Sequence, residues 1–201
     1  VHSDGQRMLK RLIEGRWLTA NGVIGLFPAN TVNDDDIEIY ADASRTEVLM
    51  TWRGLRMQTE RPVVDGVRRP NRCLADFVAP VESGLTDYVG AFAVTAGLGC
   101  DALVKKFESQ HDDYTAIMVK ALADRLAEAF AEYLHAEVRR ELWGYASGET
   151  LTNDDMIAEK YRGIRPAPGY PACPDHTAKG GLFKLLDAEA KRRLHSNPLR
   201  I

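Results

Sequence analysis

QHDDYTAIMVKALADRLAEAFAEYLHAEVR, residues 110–139, is the stretch on which the fold turns. It holds neither Pro nor Gly, and that freedom extends from Asp101 to Trp143, with Gly144 the first interruption. Apolar residues recur at spacings of three and four: Leu103, Phe107, Tyr114, Ile117, Met118, Ala121, Leu122, Leu126, Phe130, Tyr133, Leu134, Val138 and Leu142. That spacing keeps one face of a 3.6-residue helix against a core. The polar break at Gln110-His111-Asp112-Asp113 predicts a short helix followed by a long one. The long helix would run on the order of 45 Å at about 1.5 Å per residue.

Upstream the pattern changes to short apolar runs closed by turn residues. GVIGLFPAN at 22–30 ends in Pro28 and Asn30 and reads as a buried strand. After the acidic turn 33–36, Ile37-Glu38-Ile39-Tyr40 alternates as a second strand, and residues 47–52 read as a third. The stretch 53–72 is rich in Arg, with Pro62, Gly66 and Pro70, and reads as a connection containing a helical turn. Residues 73–78 and 88–95 are further strand candidates, separated by Ser83-Gly84. A first helix carries Met8, Leu9, Leu12 and Ile13 and stops at Gly15; later helices are expected at 152–160 and 182–194. Strands first and helices later predict an α+β fold: a single domain with a twisted antiparallel sheet and long helices.

Composition supports this class. The chain has 201 residues, 45% of them hydrophobic and 27% charged, with a net charge of −3. That is enough for one well-formed core and gives no global reason to bind nucleic acid or an anionic membrane. No apolar run approaches the roughly 18 residues of a membrane span, and no signal peptide is visible. The first residue is Val1 rather than Met, which reads as a piece of a longer chain. Cys73, Cys100 and Cys173 are far apart and form no CxxC, which fits a reducing, cytoplasmic setting.

Four of the nine prolines fall within Arg165-Pro166-Ala167-Pro168-Gly169-Tyr170-Pro171-Ala172-Cys173-Pro174. Such a stretch is neither helix nor central strand. Its few backbone donors belong notably to Ala167, Gly169 and Tyr170, its carbonyls have no ladder to join, and Gly169 admits a positive φ. A stiff ribbon of this kind can hold a small molecule at little ordering cost. Composition alone equally admits a rigid surface connection, and the PxxP spacing admits a peptide ligand for an SH3-type domain.

Other chemistries lack their signatures. The histidines and cysteines show no metal spacing, and Cys173 with His176 supplies only two ligands. There is no GxSxG elbow and no GxGxxG followed by a βαβ unit. The acidic run 33–36 lacks the later Gly and Glu of a calcium loop.

GIRPAPGYPACPDHT at 163–177 resembles the signature of the activation (reactivation) domain of cobalamin-dependent methionine synthase. VIGLFPAN at 23–30, DDIEIY at 35–40, CLADFVAP at 73–80, YVGAFAVT at 88–95 and the helical stretch 110–139 resemble that domain in the same order. The likeness covers about residues 5–190, so residues 1–201 are expected to form one activation domain, shortened at both ends. The resemblance implies binding of S-adenosylmethionine and support for reductive methylation of cob(II)alamin to methylcobalamin. The electron would come from a flavodoxin or a diflavin reductase. The cobalamin would be held mainly by another domain of this methyltransferase. It implies a ligand set of Arg165, Ala167, Pro168, Gly169 and Tyr170, with Glu128 and Glu159 at matching acidic positions. Arg165 suits a carboxylate, and the Tyr170 ring a sulfonium. No catalytic residue and no metal ligand is implied. The alternative is an interaction module that docks the cobalamin domain or flavodoxin without binding S-adenosylmethionine. A free-standing methyl-transfer enzyme is disfavoured, since no general base or nucleophile stands out.

Overall fold

The computed structural model describes residues 1–61 and 63–194. Pro62 and His195 lie outside the described residues. The elements in order are α1 (His2–Gly15), β1 (Thr19–Val32), β2 (Asp36–Tyr40), β3 (Val48–Trp52), β4 (Val63–Val64), β5 (Val67–Arg68), β6 (Asp87–Leu98), α2 (Cys100–Glu108), α3 (Asp113–Glu137), α4 (Asn153–Ile157), α5 (Ala178–Leu186) and α6 (Ala188–Leu194). The main sheet has the order β3-β2-β1-β6, with β1–β2 and β2–β3 antiparallel. The α+β expectation therefore holds. The chain divides into two compact units, one of Val1–Val23, Ala93–Gly148 and the chain from Glu189, the other of Ile24–Phe92 and Glu149–Ala188. Strands β1 and β6 each contribute residues to both.

In the first unit, Met8 and Leu12 of α1, Val104 and Phe107 of α2, and Ala116 and Val119 of α3 form one buried cluster, with Trp17 and Leu18 against it. The predicted break between the two helices is real. His111 adopts a left-handed φ of 58°, and Asp112 caps α3 by accepting the Thr115 N–H at 3.0 Å. Part of the predicted stripe faces the core: Phe107 and Val138 are buried, Leu103, Met118 and Leu122 pack on the cluster, and Phe130 and Leu134 lie against Gly22. Tyr114, Ile117, Tyr133 and Leu142 are exposed, while Ala116, Val119, Ala123 and Ala136 are buried. Of the buried positions, Ala116 and Val119 join the cluster with α1 and α2, and Ala123 lies beside Gly97 of β6. Beyond Glu137 the helix loosens into a π turn, Val138–Leu142. There Arg139 Nη1 lies 2.7 Å from His135 Nδ1, with both side chains buried. A guanidinium can only donate, so Nδ1 accepts and the ring's own proton sits on Nε2.

In the second unit, Ala29, Ile37, Ile39, Cys73, Ala75 and Val78 are buried together, with Phe27, Met50, Trp52 and Leu185 packed on them. The register Ala29↔Ile39 and Thr31↔Ile37 places these side chains on one face of the sheet. Burying each Ile stabilises the fold by roughly 1.5–3 kcal/mol.

Residues 73–78 are not the expected strand. Leu74–Phe77 is a 3-10 turn, because the Asp76 carboxylate accepts the Cys73 N–H at 2.9 Å and folds the chain back. Thr31 Oγ1 donates to the carbonyls of Ala75 (2.7 Å) and Val78 (3.1 Å), removing them from any ladder. The connection 53–72 holds the small β4–β5 hairpin in place of a helical turn, with Asp65-Gly66 at positive φ as the hairpin corner requires. The helix expected at 182–194 is two helices, broken at Asp187 in the left-handed region. Strand β1 extends beyond 22–30 at both ends, and Arg16, not Gly15, takes the left-handed position after α1.

Candidate functional site

The proline ribbon lies in the second unit, between α4 and α5. Thr152 starts α4 by accepting the Asp155 N–H, and the Asp155 carboxylate accepts the Thr152 hydroxyl in return at 2.7 Å. This short helix ends at Ile157, and the chain then enters the ribbon. Four prolines leave few N–H groups, and those present close a compact turn. Tyr170 N–H donates to Ala167 O (3.0 Å), Gly169 N–H to Cys173 O (2.8 Å), and Cys173 N–H to Tyr170 O (2.8 Å). Gly169 sits at φ 109°, a conformation L side chains rarely adopt.

This corrects the sequence reading in one respect. Gly169 and Tyr170 donors, and the Ala167, Tyr170 and Cys173 carbonyls, are engaged within the turn. Backbone polar groups find partners wherever the chain allows it. The Ala167 N–H takes no part in these bonds. Cys173, 5% exposed, anchors the turn in the unit's interior, and burial raises its thiol pKa, with Cys73 and Asp175 adding to the shift. The outward side consists of Ala167, Gly169 and Tyr170, the Tyr ring 64% exposed. Arg165 is half-buried at the ribbon's start. The ribbon thus brings Arg165, Ala167, Pro168, Gly169 and Tyr170 together along nine residues pinned at Cys173.

The two predicted acidic residues are not part of the ribbon segment. Glu159 lies beyond the end of α4, not on it, in the left-handed region at φ 54°, with an exposed side chain. Glu128 belongs to the first unit, where its exposed carboxylate accepts from Arg125 Nη1 at 2.7 Å one helical turn away.

One neighbour was not legible in the sequence as a site residue. The imidazole edge of His176 lies directly over Gly169. A Cβ placed on Gly169 would come within 2.7 Å of Nε2 and 2.9 Å of Nδ1, and closer still to Cε1. Nearby, Asp175 accepts the Thr177 N–H (2.8 Å) and hydroxyl (2.7 Å), and these bonds hold its carboxyl below the usual range. Among the described residues no group of three or more His, Cys, Asp or Glu is placed to hold a metal ion. No described helix is long and apolar enough to cross a membrane.

The model of the family described as vitamin B12 dependent methionine synthase, activation domain, matches residues 1–195. A crystal structure described as the MetH reactivation domain bound to AdoHcy is 58% identical in sequence, with a TM-score of 0.83. The match covers 92% of this chain and 55% of that one, so the chain spans about half the length of that solved protein.

Proposed function

The chain belongs to the activation-domain family of vitamin B12-dependent methionine synthases, and on that premise we propose that it binds S-adenosylmethionine along the ribbon 165–173. The observation that carries this reading is the closed turn itself, in a chain 58% identical to a reactivation domain that binds AdoHcy. S-adenosylmethionine presents a carboxylate, an ammonium, a sulfonium and an adenosine, and the ribbon's groups fit them. The forked donors of Arg165 suit the carboxylate. The Ala167 N–H suits an acceptor of the purine or ribose. The outward Tyr170 ring offers a π face to the sulfonium. Pro168 and Gly169 hold these groups in place, so little conformational freedom is lost on binding. The assignment of Glu159 and Glu128 to the ligand's cationic end rests on the resemblance alone.

Bound there, S-adenosylmethionine would supply a methyl group to a cobalamin held by another domain of the enzyme. This chain's residues bind and orient the donor, and they need no nucleophile or general base for that task. Within the whole methyltransferase, the reading places the chain in the reductive reactivation of cob(II)alamin. A flavodoxin or diflavin reductase would supply the electron in the cytoplasm.

Thermal unfolding with AdoHcy tests the binding. At a hundredfold excess over Kd, linkage stabilises the folded chain by about 2.7 kcal/mol. For a chain of this size that raises Tm by roughly 5–10 °C. A folded chain whose Tm ignores both AdoHcy and S-adenosylmethionine overturns the reading and leaves a docking module in its place.

A further inference from the structure

We infer that His176 is a positioning residue for the ligand-binding turn: its ring occupies the space a side chain at 169 would fill and fixes the course of Ala167–Cys173. The inference rests on the proposed function for its ligand, but its geometry stands independently. Three ring atoms crowd the open face of Gly169 at distances tighter than ordinary van der Waals contact with a Cβ. Gly169 is also the residue whose φ of 109° and N–H bond to Cys173 set the turn. The ring is in turn held from α5. Lys179 Nζ lies 3.3 Å from Nδ1, and an ammonium can only donate. Nδ1 is therefore the acceptor and Nε2 carries the proton. Lys179 N–H also reaches His176 O at 3.3 Å, so backbone and side chain at the start of α5 are joined to the same residue. Position 176 thus couples α5 to the turn that presents Ala167 and Tyr170. His176 is exposed, so a larger ring can be accommodated at this position.

The test uses His176→Ala and His176→Phe in the full chain, with two readouts. Amide hydrogen exchange across 165–176 reads the turn without ligand, and calorimetric titration of AdoHcy reads the site. The expected result is that H176A speeds exchange at Gly169 and Cys173 at least tenfold and weakens AdoHcy at least tenfold, with Tm little changed. H176F, which restores a ring without nitrogens, returns both to within about threefold of the parent. Unchanged exchange in H176A overturns the inference, as does H176F that behaves like H176A. If the parent chain binds no AdoHcy, the proposed function fails, while the exchange readout still decides the role of His176.

Discussion

Arg45 donates through Nη1 to Oδ1 of Asn30 at 2.7 Å, and Asn30 is 3% exposed. The same guanidinium donates to the carbonyls of Ala29 (3.2 Å) and Asp87 (2.8 Å), and its Cζ lies 5.5 and 5.6 Å from the ring centroids of Tyr40 and Tyr88. Asn30 Nδ2 in turn donates to Ala79 O and Leu85 O, each at 2.9 Å. One planar cation thus ties β1, β2 and the start of β6 together. Arg45→Lys keeps the charge and loses the fork, leaving the buried Asn30 acceptor short of a partner. It is expected to cost on the order of 1–3 kcal/mol, read as a Tm lower by several degrees. A Tm equal to that of the parent would show the network to be dispensable.

A second network gives the fold an acid limb. Arg56 pairs with Asp76 at 2.8 Å and with Asp35 at 2.6 Å. The Arg56 bond is the main reason the Asp76 carboxyl lies below its usual range. A carboxyl depressed on folding stabilises the native state above its unfolded pKa of about 3.9. That contribution is lost as pH falls through the folded value. Both side chains are about a third exposed, so solvent screens the pair. Asp76→Asn is expected to lower Tm at pH 7 and to lose less on going from pH 5 to pH 2 than the parent does. Parallel Tm profiles for the two proteins would remove Asp76 from the acid response.

Thiol reactivity should follow burial. Cys73 and Cys173 are buried and Cys100 is half-buried, and burial is the first cause raising all three thiol pKa values. The thiolate is the reactive form. Alkylation at pH 8 in the native chain should modify Cys100 first, with Cys73 and Cys173 protected until the second unit opens. Mass spectrometry of the labelled peptides gives the order. Early labelling of Cys173 would mean that the ribbon's anchor is loose.

Glu128 is the sharpest case for separating resemblance from contact. Its exposed pair with Arg125 contributes a few tenths of a kcal/mol at most. Glu128→Gln should therefore leave Tm within about 1 °C. Any loss of AdoHcy affinity in that variant then reports a ligand role. Full affinity would leave Glu128 a surface carboxylate paired with Arg125.

The fold class was legible because long helices and short strands write their periods plainly into residues 101–143 and 22–52. What was not legible depends on side chains far apart in sequence. The 3-10 turn at 74–77 forms because Asp76 and Thr31 take polar groups that a strand would need. The buried face of α3 includes Ala116, Ala123 and Ala136, whose burial depends on which neighbour comes close. At the candidate site, the ribbon and its residues were marked by their prolines. The bonds that use the Gly169 and Tyr170 donors, and the seat of His176 on Gly169, arise only when the turn closes.

Calorimetric titration of S-adenosylmethionine into the chain and into Arg165→Ala tests the central claim most directly. The account predicts saturable binding by the parent and at least a tenfold weaker Kd in the variant, equivalent to about 1.4 kcal/mol or more, with the two proteins sharing one circular dichroism spectrum. Equal affinity in both folded proteins would contradict the assignment of the ribbon as the ligand site.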